Sequence, residues 1–360
     1  MMKTRVAIVG GSIAGLTLAA LLDPDRFDVT LHEERPERRE AGSALGLWPA
    51  AWRVLDAVGA GDRARAFAAE PTSGALRDGT GRPLIAARDL PMTLVLRPDL
   101  IDLLEAVVPD SVRRVDERVD DPVDLPADLV VGADGVRSAV RRSAFGEHLR
   151  PRLTPWLALR GILPGPPPEN GEYWGRGDLA GVVEAPRDST YWFTTHVSTL
   201  GSLPGSAGGD PWRRSVEVDV GEALAEARRV FGGRPDRAAA VQDVLARATP
   251  ESVLAQRIYE TPRMHRLVHG RAVLIGDSAH AMTPNLGRGA CEAMIDAHVL
   301  AGELSRRPLT SALARYEARR LPPARVLPPV SRALMRLALS EALQPTRDRA
   351  LAGVGRLVPA

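Results

Sequence analysis

The stretch VAIVGGSIAG occupies residues 6–15 and runs directly into the apolar segment LTLAALL. An apolar run, a glycine turn and a helical pattern in this order predict a buried strand over 5–9 and a helix that starts after the turn. Gly10 and Gly15 fit the G-x-G-x-x-G spacing, and Ser12 stands in place of the middle glycine. Because serine is small, the turn can still bring its backbone against a pyrophosphate at the helix N-terminus.

An acidic residue follows the second strand predicted for this unit. That strand covers residues 28–32 and ends at Glu33, 23 residues after Gly10. A carboxylate at this place accepts a hydrogen bond from a ribose 2′-hydroxyl and repels a 2′-phosphate. NADP is therefore disfavoured at this site, whereas NAD and FAD both remain open.

The composition narrows the classes of protein that fit the chain. Its 360 residues are 44% hydrophobic and 26% charged, as in globular proteins, and the net charge of +2 disfavours nucleic-acid binding. Lys3 is the only lysine, so no later lysine can form a Schiff base. Cys291 is the only cysteine, so an intramolecular disulfide is excluded and a Cys-based zinc site is disfavoured. We expect a cytoplasmic protein without a metal ion or a membrane span.

Two further strand–turn–helix patterns occur later in the chain. Residues 128–141 read DLVVGADGVRSAVR, a short apolar strand followed by an Asp-Gly turn at Asp134. Residues 270–280 read GRAVLIGDSAH, and Asp277 stands at the C-terminal end of another short strand. A loop then leads to the glycines of PNLGRGACEA at 284–293, which open a helix. The N-terminus of such a helix can present N–H groups and a positive dipole to an anion.

In this order the three turns resemble those of the single-component (group A) FAD-dependent aromatic hydroxylases, the family with the fold of p-hydroxybenzoate hydroxylase. RPDL at 97–100 is similar to the family's arginine-started helix that contacts the flavin side chain. YWF at 191–193 resembles its pocket-roof strand, and YEARR at 316–320 resembles its closing helix. By this resemblance the pyrophosphate belongs to FAD.

The resemblance implies an α/β fold: a Rossmann-like FAD-binding domain of the GR2 type, an inserted β-sheet-rich substrate domain and a C-terminal helical segment. The predicted ranges are 1–72, 97–150 and 259–320 for the FAD-binding domain, 73–96 and 151–258 for the substrate domain, and 321–360 for the helical segment. Strand-like segments within the substrate domain are predicted at 156–163, 173–184 and 190–197.

Roles for individual residues also follow from the resemblance. Glu33 would hold the adenosine ribose, Arg97 and Asp134 would lie along the pyrophosphate and ribityl region, and Asp277 would bind the ribityl chain. The backbone of 287–289 would face the N1/C2=O edge of the isoalloxazine, where negative charge gathers on reduction. The residues predicted to bind FAD are Gly10, Ser12, Ile13, Ala14, Gly15, Glu33, Glu34, Arg35, Arg97, Asp134, Gly135, Asp277, Pro284, Gly287, Arg288, Gly289 and Ala290.

The implied activity is NAD(P)H-driven monooxygenation of an aromatic, phenolic or polycyclic small molecule. In the resembled family NAD(P)H reduces FAD, O₂ adds to form a C4a-hydroperoxyflavin, and its distal hydroxyl passes to an electron-rich carbon. No second complete G-x-G-x-x-G occurs, so NAD(P)H would bind transiently. A flavin epoxidase or Baeyer–Villiger-type oxygenase acting on a polyketide or terpenoid, and a non-oxygenating FAD-binding protein or NADH oxidase, remain open. We expect a monomer or homodimer with an aromatic small molecule as its partner.

Two residues are candidate catalytic groups. His196 shares strand parity with Trp192, so it would orient or deprotonate a phenol if that face lines the pocket; the alternative is a satisfied histidine on the sheet surface. Arg288 lies between the two glycines nearest the flavin, where it would stabilise anionic reduced flavin or bind an acidic substrate; the alternative is a solvent-facing arginine. His280 is expected to be structural, and Cys291 a small packing residue.

Overall fold

The computed structural model describes residues 2–34, 43–71, 73–88, 91–201, 218–232 and 237–356. The predicted FAD contact Arg35 lies outside the described residues. Within the described ranges, no helix has the length and apolar character needed to cross a membrane.

One sheet positions the glycine turns. Its strands are β1 (Thr4–Val9), β2 (Phe27–Glu33), β7 (Arg113–Asp116), β8 (Leu129–Gly132), β14 (Val268–His269) and β15 (Ala272–Leu274). They follow the order β14-β15-β8-β1-β2-β7, and all neighbours are parallel except β14 and β15. Because parallel strands end at the same edge, the turns after β1, β8 and β15 meet there.

Helices and a small ribbon pack with this sheet around one apolar core. The helices are α1 (Ile13–Leu21), α2 (Pro49–Ala57), α3 (Gly61–Arg65), α4 (Arg97–Glu105), α7 (Asp277–His280), α8 (Gly289–Arg306) and α9 (Leu309–Ala338). The antiparallel ribbon is β3 (Ala44–Leu47) with β6 (Thr93–Leu96). Helix α9 is continuous through four prolines, so it spans the predicted boundary at residue 321.

A second, mainly antiparallel sheet has seven strands. They are β4 (Ser73–Asp78), β5 (Pro83–Arg88), β9 (Arg152–Pro164), β10 (Gly171–Trp174), β11 (Asp178–Ala185), β12 (Ser189–Val197) and β13 (Val253–Glu260). Their order is β13-β9-β12-β11-β10-β4-β5. The predicted strand over 173–184 is two strands, because Gly177 takes a φ of +84° in a turn that lets β10 and β11 pair antiparallel.

The two faces of the seven-stranded sheet have different covers. Helices α5 (Val220–Gly232) and α6 (Ala239–Arg247) pack on the face that carries Leu159 and Trp192. On the opposite face Trp156 and Trp174 pack with Met335 near the end of α9, and α10 (Gln344–Gly355) follows. The remainder of that opposite face is only partly buried.

Candidate active site

The glycine turn after β1 packs against the turn after β8. Gly10 has a φ of +107°, and a Cβ built there would lie 2.3 Å from the carbonyl oxygen of Ala133. A Cβ at Gly15 would lie 1.9 Å from the carbonyl oxygen of Gly10. A side chain at either position would collide with backbone, so both glycines are required for α1 to start directly behind the turn.

Side chains from two other segments hold the same turn. The Gly11 N–H donates to Glu33 Oε2 at 2.7 Å, and Arg97 Nη2 donates to Ser12 Oγ at 3.2 Å. Glu33 ends β2 and Arg97 begins α4, so neither is a neighbour of the turn in sequence. The structure therefore brings together the glycine turn, the acid and the arginine that were predicted to bind FAD.

Asp134, in the turn after β8, carries an incompletely satisfied carboxyl group. The Val140 N–H donates to its Oδ2 at 3.1 Å, whereas its Oδ1 is buried without a hydrogen-bond partner among the described residues. Burial raises the pKa of this carboxyl group. A buried acceptor without a donor is costly unless a ligand supplies one, so Oδ1 fits a hydroxyl group of a bound molecule.

The turn after β15 packs between α1 and α8. Gly276 has a φ of +61°, and a Cβ there would lie 3.2 Å from the Cβ atoms of Ala14 and Ala293. Asp277 follows as the first residue of α7 and is exposed. The first turn of α1, the Asp277 turn and the beginning of α8 therefore adjoin one another at the edge where the parallel strands end.

The loop that leads into α8 is anchored on the segment after β3. Gly287 has a φ of +57°, and its carbonyl accepts from Trp48 Nε1 at 3.2 Å. The Cys291 thiol lies 3.4 Å from the Trp48 nitrogen and 3.3 Å from the Gly46 carbonyl oxygen. Burial raises the pKa of this thiol, which agrees with a packing role. No described atom lies within 4 Å of a Cβ built at Gly289, so the first turn of α8 is open there.

The remaining predicted contacts are distributed over these segments, apart from Glu34, whose carboxylate pairs with Arg118 at 2.8 Å. Ile13 and Ala14 lie in the first turn of α1, Gly135 follows Asp134 with a φ of +74°, Pro284 begins a short 3₁₀ turn, and Arg288 and Ala290 flank Gly289. Two helix N-termini, glycine turns and the unsatisfied Asp134 oxygen thus share one edge. These features fit the pyrophosphate and ribityl chain of FAD.

His196 lies on the face of the seven-stranded sheet that α5 and α6 cover. It is 1% exposed, and its ring meets the Phe231 ring edge-on at 6.0 Å between centroids. Neither ring nitrogen has a hydrogen-bond partner among the described residues, and burial lowers the pKa of the ring. His196 could deprotonate a phenol only if this face of the sheet lined the substrate pocket. That requirement is not met, because helices occupy the space in front of it.

The opposite face carries a row of side chains that the sequence did not single out. Arg160, Phe193, Gly181 and Glu172 are cross-strand neighbours on β9, β12, β11 and β10. The Phe193 ring lies over Gly181, where a Cβ would come within 2.1 Å of ring carbons. The row therefore has an arginine at one end, an aromatic ring in the middle and a carboxyl group at the other end.

The two ends of this row differ in charge. Arg160 Nη2 donates to Gln256 Oε1 at 2.6 Å, while its Nε is buried without a partner among the described residues. Glu172 Oε1 accepts from Trp174 Nε1 at 2.6 Å, and burial raises the pKa of the Glu172 carboxyl group. Alternation along the strands predicts which residues share a face, but Arg160 and Glu172 gave no local signal of a site.

Two contacts join the seven-stranded sheet to segments that were predicted to bind FAD. Arg187, in the turn between β11 and β12, donates to Asp99 of α4 at 2.8 Å. The Arg137 guanidinium lies 4.2 Å from the centre of the Tyr259 ring, which joins the Asp134 turn to β13. The seven-stranded sheet therefore contacts two of the segments that were predicted to bind FAD.

Arg141 is a second residue that sequence reasoning missed. It is fully buried, and its Nη1 and Nε donate to the carbonyl oxygens of Ser278 at 2.7 Å and Leu149 at 3.0 Å. Burial lowers the pKa of its guanidinium to about 10. The side chain ties the Asp134 turn to the Asp277 turn, and its signal was the second arginine of DGVRSAVR.

Known proteins are similar to this chain in sequence and in fold. Residues 235–327 match the family model described as an FAD binding domain. The aurachin C monooxygenase/isomerase of Stigmatella aurantiaca is 30% identical, over 89% of this chain and 86% of that protein. The 3-amino-4-hydroxybenzoate 2-monooxygenase of Streptomyces cremeus is 31% identical, over 88% of this chain and 83% of that protein. Klebsiella pneumoniae HpxO, solved with FAD and uric acid, superposes with a TM-score of 0.81 at 24% identity, over 97% of this chain and 93% of that one.

The chain belongs to the family of FAD-dependent aromatic monooxygenases. The predicted α/β fold of the p-hydroxybenzoate hydroxylase type is confirmed, and so is the prediction of a flavin monooxygenase that uses FAD, NAD(P)H and O₂. The roles of individual residues in binding FAD stay predictions, which the geometry above supports.

Proposed function

We propose that this monooxygenase hydroxylates a planar aromatic compound with an acidic group, held on the face of the seven-stranded sheet opposite α5 and α6. The proposal rests on the row of Arg160, Phe193 and Gly181. The half-buried Phe193 ring offers a flat surface on which a second aromatic ring can stack. Arg160 has no carboxylate partner among the described side chains, and a half-buried guanidinium favours a carboxylate or phenolate ligand.

Bound FAD supplies the acceptor for the hydride of NAD(P)H and the centre at which O₂ is activated. The chain's own side chains hold the substrate ring, neutralise its acidic group and keep water away. Trp156 and Trp174, closed over by Met335, exclude water at one end of the face. Glu172, at the end of the row away from Arg160, suits a hydroxyl or amino group of the substrate as a hydrogen-bond partner.

The direct test supplies FAD-loaded enzyme with NADH or NADPH in aerated buffer. The panel comprises hydroxybenzoates, the matched hydroxybenzamides, phenols and anilines, with nucleotide oxidation, H₂O₂ and product mass measured together. We expect hydroxybenzoate-type compounds to stimulate oxidation and to yield a product heavier by one oxygen atom with little H₂O₂. Peroxide alone, or no stimulation by any aromatic compound, would contradict the proposal.

Two variants test the placement of the substrate. R160Q should raise KM for an acid about tenfold to a hundredfold and leave KM for its amide unchanged, because a charged hydrogen bond contributes about 1.5–3 kcal/mol. F193A should raise KM for acid and amide alike. Thr194→Val is the matched control, because Thr194 lies on the covered face of the same strand. If T194V changes KM as much as F193A, the assignment of faces fails.

A further inference from the structure

Five ionisable side chains form a continuous chain between α7, α8 and α9. Arg288 donates from Nε and Nη2 to Glu292 Oε1 at 3.0 and 2.8 Å. Glu292 Oε2 accepts from Arg320 Nη2 at 2.6 Å, and Arg320 also donates through Nε to Asp296. Asp296 accepts in turn from His280 Nε2 at 2.7 Å. We call these five residues the charge chain.

Most of the charge chain is removed from water. Arg288, at one end, is 34% exposed, and the other four side chains are buried. Burial opposes a charge on His280, but the charge and hydrogen bond of Asp296 and the charge of Asp277 outweigh it and raise the pKa of the ring. Burial also opposes the charge of Asp296, and His280 with Arg320 outweighs it and lowers that pKa. The charge chain therefore alternates basic and acidic side chains along its length, with Glu292 and Asp296 between Arg288, Arg320 and His280.

The charge chain touches both late segments that were predicted to bind FAD. Arg288 lies between Gly287 and Gly289, at the start of α8. Asp296 Oδ2 also accepts from the Gly276 N–H at 2.8 Å, one residue before Asp277. Helix α9, which contributes Arg320, is thereby coupled to two loops that are distant from it in sequence.

We propose that the charge chain sets the reduction potential of bound FAD through its charges at the start of α8, where the Arg288 guanidinium stabilises the anionic reduced cofactor and the paired Glu292 carboxylate opposes it. Coulomb interactions depend on sign, so removal of an anion and removal of a cation from the charge chain must shift the potential in opposite directions. A role limited to stability gives no such dependence on sign. The proposal rests on FAD binding and does not depend on the substrate.

The test compares the E292Q and R288Q holoenzymes. The two-electron potential of bound FAD is measured by equilibration with a reference dye, and the FAD Kd by flavin fluorescence. E292Q should raise the potential and R288Q should lower it, each by at least a tenfold change in the ratio of reduced to oxidised cofactor, about 30 mV for this couple. The double variant should return toward the wild-type value. Unchanged potentials, or shifts of the same sign, would overturn the proposal.

A matched control lies on the same two helices. Glu303 of α8 accepts from Arg307 and from Arg319 of α9, but it lies about 21 Å along the helix from Gly289. E303Q should lower stability and leave the potential unchanged, and a shift as large as that of E292Q would refute the electrostatic explanation. If E292Q does not fold, R288Q decides by itself: an unchanged or raised potential overturns the proposal.

Discussion

Two of the buried histidines lie in opposite surroundings. His280, 2% exposed, is hydrogen-bonded to Asp296 at 2.7 Å inside the charge chain. His196, 1% exposed, packs against Phe231 beneath α5, and its nearest carboxylate oxygen, on Glu226, is 3.7 Å away. The first region holds its histidine by a direct hydrogen bond to a carboxylate, whereas the second packs its histidine against an aromatic ring, with the nearby carboxylate beyond hydrogen-bond distance.

This difference follows from what each region supports. The charge chain lies directly behind the turns that were predicted to bind FAD, and its buried charges need partners of opposite sign. The α5 and α6 side of the seven-stranded sheet is mainly apolar, with Trp192 in its core, and its buried pair of Asp178 with Arg237 lies at the start of β11. The role of a buried histidine in this protein can therefore be inferred only from the groups that surround its ring.

The largest expected effect comes from the centre of the charge chain. D296N removes the anion that accepts from Arg320, His280 and the Gly276 N–H, and it leaves the buried Arg320 guanidinium with Glu292 as its remaining carboxylate partner. We expect a loss of about 3–5 kcal/mol in the free energy of unfolding. Chemical denaturation followed by circular dichroism measures it. The control is D128N, in the exposed pair with Arg5, which should leave the denaturation midpoint unchanged.

The second effect is smaller and depends on pH. The folded-state pKa of His280 is raised, so the stability it contributes is complete below its ordinary value of 6.5 and is lost as pH rises through the folded value. The folded-state pKa of His196 is lowered by burial and by the charge of Arg257, against the pull of Glu226 and Asp178. The folded protein therefore loses stability as pH falls from 6.5 through that lower value.

Urea denaturation of wild type, H280Q and H196Q between about pH 5 and about pH 9 separates the two histidines. The stability difference between wild type and H280Q should shrink as pH rises, and wild type should lose stability relative to H196Q as pH falls. Parallel curves for the two variants would show that the partners of the two rings do not control their titration.

The smallest expected change in stability concerns two buried hydroxyl groups. Ser278 Oγ donates to backbone carbonyls, one of them that of Ile275 at 2.7 Å, whereas Thr194 Oγ1 has no partner among the described residues. S278A should cost about 1 kcal/mol of unfolding free energy, and T194V should be neutral or slightly stabilising, because a lost hydrogen bond costs stability and a lost unsatisfied group does not. Thermal denaturation at one pH compares them, and an equal loss in both would contradict the assignment.

Much of the cofactor edge could be predicted from local sequence. The strand, turn and helix around Gly10, and the acid at Glu33, lie within one βα unit, where spacing alone constrains geometry. The same holds for the Asp134 and Asp277 turns. Residues 173–184 were predicted as one strand-like segment from their alternating pattern, and the break at Gly177 depends on pairing with strands on both sides.

The sequence by itself determined the nucleotide-binding edge, because each glycine turn is encoded by the few residues around it. Alternation along β12 also determined that His196 and Trp192 share a face. Only the tertiary structure decided which face α5 and α6 cover, since a period of two defines two faces but not the neighbour of either. It alone also joined Arg320 to Glu292 and Asp296, because that contact exists only when α9 packs on α8.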